Sequence, residues 1–155
     1  MVSALSVIPG CPASVELANW RDISSLRYIE RACFPKDVWP LWDLIGILTF
    51  PDVIRLKAVI DDQMVGFVGV DMKHSQQQAW IATLCVLPGY RRRGIGSTLL
   101  RVCEDRIDLP AIKLSVRASN QAAIILYRNY GYQRVEIWPS YYQDGEDAVV
   151  MEKSD

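Results

Sequence analysis

The sequence of 155 residues contains a single histidine, and its four cysteines form no C-x-x-C pair. The residues in question are His74 and the four cysteines Cys11, Cys33, Cys85 and Cys103. This scarcity argues against a zinc site of the usual composition, and we expect no metal. An excess of one charge is also missing, with 17 Lys and Arg against 18 Asp and Glu. Because binders of nucleic acid or anionic membranes usually carry a basic excess, we expect neither partner.

Long hydrophobic runs and a positively charged amino-terminal segment are absent as well. No window approaches the ~20 apolar residues that a transmembrane helix needs. Pro9, Gly10 and Pro12 interrupt the uncharged stretch at residues 2–15, which fits a secretory signal poorly. We therefore expect a cytoplasmic protein with reduced cysteines, in which residues 1–14 form a loose tail.

The composition that remains is that of a folded domain, because 50% of the residues are hydrophobic and 23% are charged. The length predicts a single domain over residues 1–155. Apolar periodicity predicts helices at 23–33, 40–48, 94–107 and 121–130, and strands at 15–18, 54–60, 64–72, 79–87, 111–117, 132–138 and 146–152. Asp22 is expected to cap the first helix. A mixed sheet covered by helices is the natural layering of these elements.

A phosphate-binding turn is predicted where the strand at 79–87 runs into the helix at 94–107. The first N–H groups of a helix lack internal partners and lie at the positive end of its dipole, which suits phosphate. Gly94 and Gly96 would let a ligand approach the backbone, and the arginines at 91–93 would add charge. Taken alone, this R-x-x-G-x-G pattern is weak, because such glycines often only cap a helix and such arginines are often solvated.

The turn resembles the R/Q-x-x-G-x-G/A segment of the GCN5-related N-acetyltransferases, with Arg91, Gly94 and Gly96 at the defining positions. That family's fold is an α/β (α+β) architecture whose mixed, mostly antiparallel central sheet is flanked by helices. A splayed central strand leads into its phosphate-binding turn, and the element order from about residue 15 to residue 153 agrees with it. The resemblance implies acetyl-CoA as cosubstrate, bound by Leu84, Cys85, Val86, Arg91, Arg92, Arg93, Gly94, Ile95, Gly96, Asn120 and Tyr127.

Two later segments resemble protein N-terminal (Nα) acetyltransferases of the ribosomal-protein alanine acetyltransferase type. Residues 116–132 match V-R-x-S-N-x-x-A-x-x-L-Y-x-x-x-G-F/Y, and residues 141–151 match Y-Y-x-D-G-E-D-A-x-x-M. This resemblance implies acetyl transfer to the N-terminal α-amino group of a protein or peptide, a ribosomal protein being one candidate. It places four residues at the peptide site, namely Phe34, Pro35, Tyr141 and Tyr142.

The reaction implied is direct attack of a neutral amine on the thioester, with CoA leaving as a thiolate. The resemblance implies that Tyr127 is the catalytic residue that protonates the sulfur, while Asn120 hydrogen-bonds the pantetheine arm. A backbone N–H in residues 84–86 would stabilise the oxyanion. From the residues alone, Tyr127 is more often a core aromatic and Asn120 is equally a helix cap.

No matched position supplies a general base, because Ser115 stands where relatives have Glu or His, and Trp80 where some have Tyr. Other candidates, acting through ordered water, stay open: Glu30, Asp37, Tyr141 and Tyr142. A free α-amino group has a pKa of ~7.7–8.0, so about a tenth or more is neutral at pH 7. A lysine amine, with a pKa of ~10.4, is neutral at under ~0.1%. A site with a weak base should therefore favour an N-terminal amine.

Two alternative functions remain open from the sequence. One is a small-molecule amine acetyltransferase on the same fold, and the other is a non-catalytic acyl-CoA-binding module.

Two residue clusters each have two possible interpretations. The acidic hairpin at 144–147 is either a solvated turn or a binding site for a positive N-terminus. Trp39 and Trp42 either line the opposite wall of the peptide channel or belong to the core.

Overall fold

The computed structural model describes residues 6–7, 10 and 13–154. These residues form two compact units. The first contains the described residues up to Met72 together with Ala82–Asp108, and the second contains Lys73–Ile81 and the described residues from Leu109 onward. The single domain expected over residues 1–155 stays a prediction.

Most of the tail predicted at residues 1–14, together with Cys11, lies outside the described residues. Among the described residues of this stretch, Ser6, Val7 and Ser14 lie in strands. Strand β1 (Ser6–Val7) pairs antiparallel with the start of strand β2 (Ser14–Leu17).

The first five strands follow the order β1-β2-β3-β4-β5, with β3 at Val53–Ile60, β4 at Gln63–Lys73 and β5 at Gln78–Val86. Of β5, Ala82–Val86 belongs to the first unit and the residues before Ala82 belong to the second. The pairs β1–β2, β2–β3 and β3–β4 are antiparallel. Strands β3 and β4 form a hairpin whose turn consists of Asp61 and Asp62, with φ angles of +49° and +62°. Two successive left-handed residues match the twist of a two-residue hairpin.

Helices α1 (Ile23–Cys33), α2 (Leu41–Thr49) and α3 (Ile95–Asp105) also belong to the first unit. Two glycines of β4 permit their close packing. A Cβ on Gly69 would overlap Ile47 Cδ1 of α2 and lie 2.8 Å from its Cγ1, and a Cβ on Gly66 would lie 3.0 Å from Leu99 Cδ1 of α3. The bare backbone at these positions lets both helices lie directly on the sheet.

Asp22 stands at the predicted N-cap position of α1, but its side chain does not cap that helix. A 3-10 turn at Trp20–Asp22 precedes α1 and has Asn19 as its cap. The Asp22 carboxylate instead accepts the Asn19 N–H at 2.9 Å and binds Lys57 Nζ of β3 at 2.8 Å. The expected cap is therefore wrong, because the lysine on a distant strand and the preceding turn compete for the same oxygens.

Strands of the second unit follow the order β5-β6-β8-β7, with β6 at Ala111–Arg117, β7 at Gln133–Trp138 and β8 at Ala148–Ser154. Helix α4 (Gln121–Asn129) lies between β6 and β7 in the chain. Strand β8 pairs antiparallel with both β6 and β7. Strand β5 pairs parallel with β6 only over Gln78–Trp80, as expected of a strand that splays from its neighbour.

The elements confirm the predicted architecture, a mixed and mostly antiparallel sheet combined with helices. Predicted and observed boundaries agree within one or two residues for most elements, because the apolar periodicity of each is strong. Within the described ranges, no helix is long and apolar enough to cross a membrane.

Candidate functional site

The turn between β5 and α3 has the backbone that the sequence predicted for a phosphate site. A short 3-10 turn at Pro88–Tyr90 follows β5, and the chain enters α3 through Arg92 and Gly94, whose φ angles are +65° and +77°. The Gly94 carbonyl accepts the Thr98 N–H at 3.0 Å, which closes the first turn of the helix. A Cβ on Gly94 would meet no atom within 4 Å, so the space beside the turn is open.

The three arginines of this turn are exposed, and two of them have defined side-chain contacts. Arg91 Nε donates a hydrogen bond to the Val86 carbonyl at 3.1 Å, which ties the guanidinium to the end of β5. The Arg93 guanidinium lies 5.2 Å from the centre of the Tyr90 ring. Positive charge is therefore held beside the amino terminus of α3, where the helix dipole also favours an anion.

The predicted pantetheine-binding strand has two unequal faces. In β5, Thr83 and Cys85 are buried, whereas Leu84 and Val86 are half-buried and Ala82 is exposed. Side chains alternate between the faces of a strand, so Leu84 and Val86 share the open face and Cys85 points to the covered one. Of the three predicted contact residues, Cys85 can therefore offer a ligand only its backbone.

A buried carboxyl group lies on the covered face of β5. Glu30 of α1 is 1% exposed, and its Oε1 accepts a hydrogen bond from the Thr83 hydroxyl at 2.7 Å. Burial raises the pKa of Glu30 above its usual 4.5, and the hydrogen bond from Thr83 opposes this effect. The sequence left Glu30 open as a general base, but its position beside Thr83 separates it from the open face of the strand.

The loop after α1 carries the predicted peptide-site residues Phe34 and Pro35. The Phe34 N–H donates to the Glu30 carbonyl at 2.8 Å, and the Asp37 N–H donates to the Phe34 carbonyl at 3.0 Å. Phe34 is half-buried and Pro35 is exposed. Trp42, which the sequence assigned either to a channel wall or to the core, is 80% exposed and is not a core residue.

Helix α4 of the second unit positions Asn120 and Tyr127. Asn120 caps the helix, since its Oδ1 accepts the Ala123 N–H at 3.2 Å. Tyr127 is 7% exposed, and its ring meets Tyr132 edge-on with the centroids 5.5 Å apart. The structure shows the capping role of Asn120, while contacts of either residue with a cosubstrate stay predictions.

The acidic hairpin is bonded to the end of β6 through Arg117. Arg117 Nη1 lies 2.9 Å from Asp144 Oδ2 and 2.8 Å from Glu146 Oε1. The Ser119 N–H donates to Glu146 Oε2 at 2.7 Å. Hydrogen bonds from Ser119 and then from Arg117 lower the pKa of Glu146 to about 2. Neither interpretation from the sequence described this arrangement, in which the carboxylates bind groups of the protein itself.

Four rings in the second unit form what we call the aromatic row. Trp80 stacks on Trp138 with centroids 5.9 Å apart, and Tyr141 follows Trp138 at 5.1 Å. Tyr142 meets Tyr141 edge-on at 5.1 Å, and the Arg117 guanidinium lies 4.1 Å from the centre of its ring. The sequence identified both tyrosines but missed Trp138, because nothing local indicates its pairing with Trp80.

A strand that enters an arginine- and glycine-rich helix start, within a mixed and mostly antiparallel sheet, defines the class of N-acetyltransferase folds. The model of the family described as "Acetyltransferase (GNAT) family" matches residues 19–132. The chain therefore belongs to the GNAT family of acetyltransferases.

One relative is the N-alpha-acetyltransferase of Saccharolobus solfataricus. It is 28% identical over 148 residues, which cover 86% of this chain and 88% of that protein. The crystal structure of the ribosomal-protein-S18-alanine N-acetyltransferase from Escherichia coli superposes with a TM-score of 0.83 at 25% identity, covering 92% and 93% of the two chains. The structure of Arabidopsis thaliana NAA60 in complex with acetyl-CoA shares the fold, with a TM-score of 0.81 at 21% identity. The alignment covers 92% of this chain and 98% of that one.

Proposed function

We propose that this GNAT acetyltransferase uses acetyl-CoA to acetylate the N-terminal α-amino group of a protein or peptide. The observation that carries the proposal is the turn from β5 into α3, where Gly94 is left-handed and open and Arg91 is bonded to Val86. The acceptor is supported by the resemblance of residues 116–132 and 141–151, and by the relatives named N-alpha-acetyltransferase.

The turn would bind the pyrophosphate of acetyl-CoA. The first N–H groups of α3, at Ile95 and Gly96, have no partner within the helix and lie at the positive end of its dipole. Arg91 adds a charge-assisted contact, and Arg92 and Arg93 add positive potential. The backbone of residues 84–86 would pair with the pantetheine arm, with Leu84 and Val86 on the open face.

In the transfer, the neutral amine attacks the thioester carbonyl carbon, the C–N bond forms and the C–S bond breaks. A backbone N–H in residues 84–86 would stabilise the oxyanion. Tyr127 would give its phenol proton to the leaving thiolate. Its 7% exposure and its contact with the Tyr132 ring favour one orientation of the phenol, and an oriented proton donor is what general-acid catalysis requires.

The resemblance assigns Phe34, Pro35, Tyr141 and Tyr142 to the acceptor site. Arg117 offsets one of the two negative charges of Asp144 and Glu146. A site without a matched general base suits an amine that loses its proton easily. The pKa of an α-amine is about 2.5 units below that of a lysine amine, so its deprotonation costs ~3.4 kcal/mol less.

The test is CoA release from acetyl-CoA with peptides that have free N-termini, beside the same peptides with blocked N-termini and intact lysines. We expect turnover only with free N-termini. Equal turnover on both sets would point to lysine as acceptor. CoA binding without any turnover would point to a small-molecule amine or to a binding-only module.

Tyr127→Phe tests the proton donor, because it removes the phenol hydroxyl and keeps the ring that packs on Tyr132. We expect kcat to fall by about 10²-fold with the KM for acetyl-CoA nearly unchanged. Tyr132→Phe is the matched control, since it removes the hydroxyl of the neighbouring ring and should leave kcat unchanged. A Tyr127→Phe enzyme with the original kcat would exclude Tyr127 as the acid.

A further inference from the structure

A groove of about 400 Å³ lies between helices α1 and α2 of the first unit, and we call it the α1–α2 groove. Its volume is within the range of about 300–1,000 Å³ that is usual for ligand sites. None of the described residues that line it belongs to the proposed phosphate turn or to the implied acceptor site. The proposed acetyl transfer therefore leaves this groove without a role.

Helix α2 and the preceding 3-10 turn give the groove an apolar wall. Leu41, Ile45 and Leu48 recur at i, i+4 and i+7, so they share one side of α2, and all three line the groove. Trp20 of the 3-10 turn lines it as well. Leu41 is 41% exposed and Trp20 is 64% exposed. Apolar side chains left open to solvent within a groove favour the binding of an apolar group there.

Arg27 of α1 is the single charged residue among the described residues that line the groove. Its side chain is exposed, and it forms no ion pair with an acidic side chain of the described part of the chain. Glu30, one turn further along α1, is buried and is bonded to Thr83. The guanidinium is therefore available to an anion that enters the groove.

Two carboxylates close in sequence to these helices do not compete for the guanidinium. The Asp22 carboxylate binds Lys57 Nζ at 2.8 Å. Asp43 lies two residues after Leu41, which is about 200° around α2 and therefore on the side opposite the groove. The groove thus combines an apolar wall with one uncompensated positive charge.

We propose that the α1–α2 groove binds a small apolar monocarboxylate, a molecule with one carboxylate and an apolar chain or ring. The planar Arg27 guanidinium can donate two parallel N–H bonds to a carboxylate. The exposed Ser24 hydroxyl, which also lines the groove, can donate to the same oxygens. The Thr49 hydroxyl cannot, because it already donates to the Ile45 carbonyl at 2.7 Å.

The charge and the wall together define this ligand class. One guanidinium matches one negative charge, whereas a phosphate dianion would leave a charge without a partner beside an apolar surface. The apolar part of the ligand would cover Trp20 and the exposed side of Leu41, which removes apolar surface from water. The proposal does not depend on the proposed acetyl transfer.

Isothermal titration of the full chain with decanoate tests the site. We expect one decanoate bound per chain, and a Kd about tenfold higher for Arg27→Gln, because the charge-assisted hydrogen bonds are lost. Decanol has the same chain without the carboxylate. It should bind more weakly than decanoate and should not distinguish Arg27→Gln from the original chain.

Arg31→Gln is the matched control, because Arg31 lies one turn after Arg27 on α1, is also exposed and does not line the groove. It should leave the Kd for decanoate unchanged. Leu41→Asp places a negative charge on the apolar wall, in the first turn of α2, where the helix dipole favours an acidic residue. This variant should keep its fold and should also raise the Kd for decanoate.

Several results would overturn the proposal. Decanoate might bind with no measurable heat or displacement at any concentration tested, or bind Arg27→Gln as tightly as the original chain. Equal losses in Arg27→Gln and Arg31→Gln would show a general attraction to positive charge, and decanol binding as tightly as decanoate would exclude carboxylate recognition. In sedimentation velocity, a dimer that Leu41→Asp dissociates would show that a second copy covers the groove. None of these measurements requires acetyl transfer, so a failure of the proposed function would leave them unchanged.

Discussion

Gly94 matters because of a single backbone angle. Its φ of +77° lies in the left-handed region, where an L side chain costs ~1–2 kcal/mol. A Cβ there would meet no atom within 4 Å, so the cost of a larger residue is conformational and involves no clash. Gly89 also has open space for a Cβ but no left-handed angle. These two glycines of the same turn therefore form a matched pair.

We expect Gly94→Ala to weaken CoA binding about tenfold, because ~1.4 kcal/mol of strain would favour a rearranged turn whose N–H groups no longer converge. Gly89→Ala should leave the affinity unchanged. Isothermal titration with CoA measures both. Equal affinities for the two variants and the original chain would show that the backbone at Gly94 takes no part in binding.

Among the elements, the contact between α2 and β4 has the least room. A Cβ on Gly69 would overlap Ile47 Cδ1, and Ile47 is 6% exposed. Overpacking of this kind typically costs about 1–3 kcal/mol of stability. The helix and the strand are therefore held together at a point where neither can accept an extra methyl group.

Gly69→Ala should lower the free energy of unfolding by about 2 kcal/mol. Adding Ile47→Val removes Cδ1, the atom that the new methyl group would overlap, and should recover part of the loss. Urea unfolding of both variants gives the comparison through the transition midpoint. A Gly69→Ala protein as stable as the original would mean that α2 shifts away from the sheet at no cost.

Local signals predicted the elements well. The turn at Asp61 and Asp62 joins two strands with alternating apolar residues, and the glycines at 94 and 96 follow a strand and open a helix. Both features can be predicted from residues that are adjacent in the sequence. The family turn was found for the same reason. Boundaries such as Ile23–Cys33 for α1 were predicted without error because the apolar spacing is regular.

Contacts between distant segments could not be predicted in this way. Asp22 binds Lys57 of β3, and Trp80 stacks on Trp138 of β7. The pairing of the hairpin carboxylates with Arg117 belongs to the same class. Each contact depends on which strands become neighbours, and no residue near Asp22, Trp80 or Arg117 in the sequence specifies its partner.

For the molecule as a whole, Glu30 is a source of pH-dependent stability. Burial raises its pKa above the unfolded value of 4.5, so the native state holds the proton to higher pH than the unfolded chain does. The stability that this group contributes is complete below pH 4.5 and is lost as the pH rises through the folded pKa. Above the folded pKa the native state therefore contains an ionised carboxylate that burial disfavours.

Glu30→Gln removes the ionisation and keeps an oxygen for the Thr83 hydroxyl. We expect the variant to gain stability over the original chain as the pH rises from 4.5 through the folded pKa of Glu30. Urea unfolding across this pH range measures the difference in stability. If the stability gain of Glu30→Gln shrank with rising pH, the pKa of Glu30 in the native state would not be raised.

The short parallel register between β5 and β6 has a consequence for synthesis on the ribosome. Gln78–Trp80 of β5 pairs with Ala111–Lys113 of β6, so the partner is made only after helix α3. Strands β3 and β4, joined by two residues, can pair as soon as both have emerged. The nascent chain therefore passes through an interval in which the apolar strand β5 has an unpaired edge, and such edges recruit other chains. That interval ends when β6 leaves the exit tunnel.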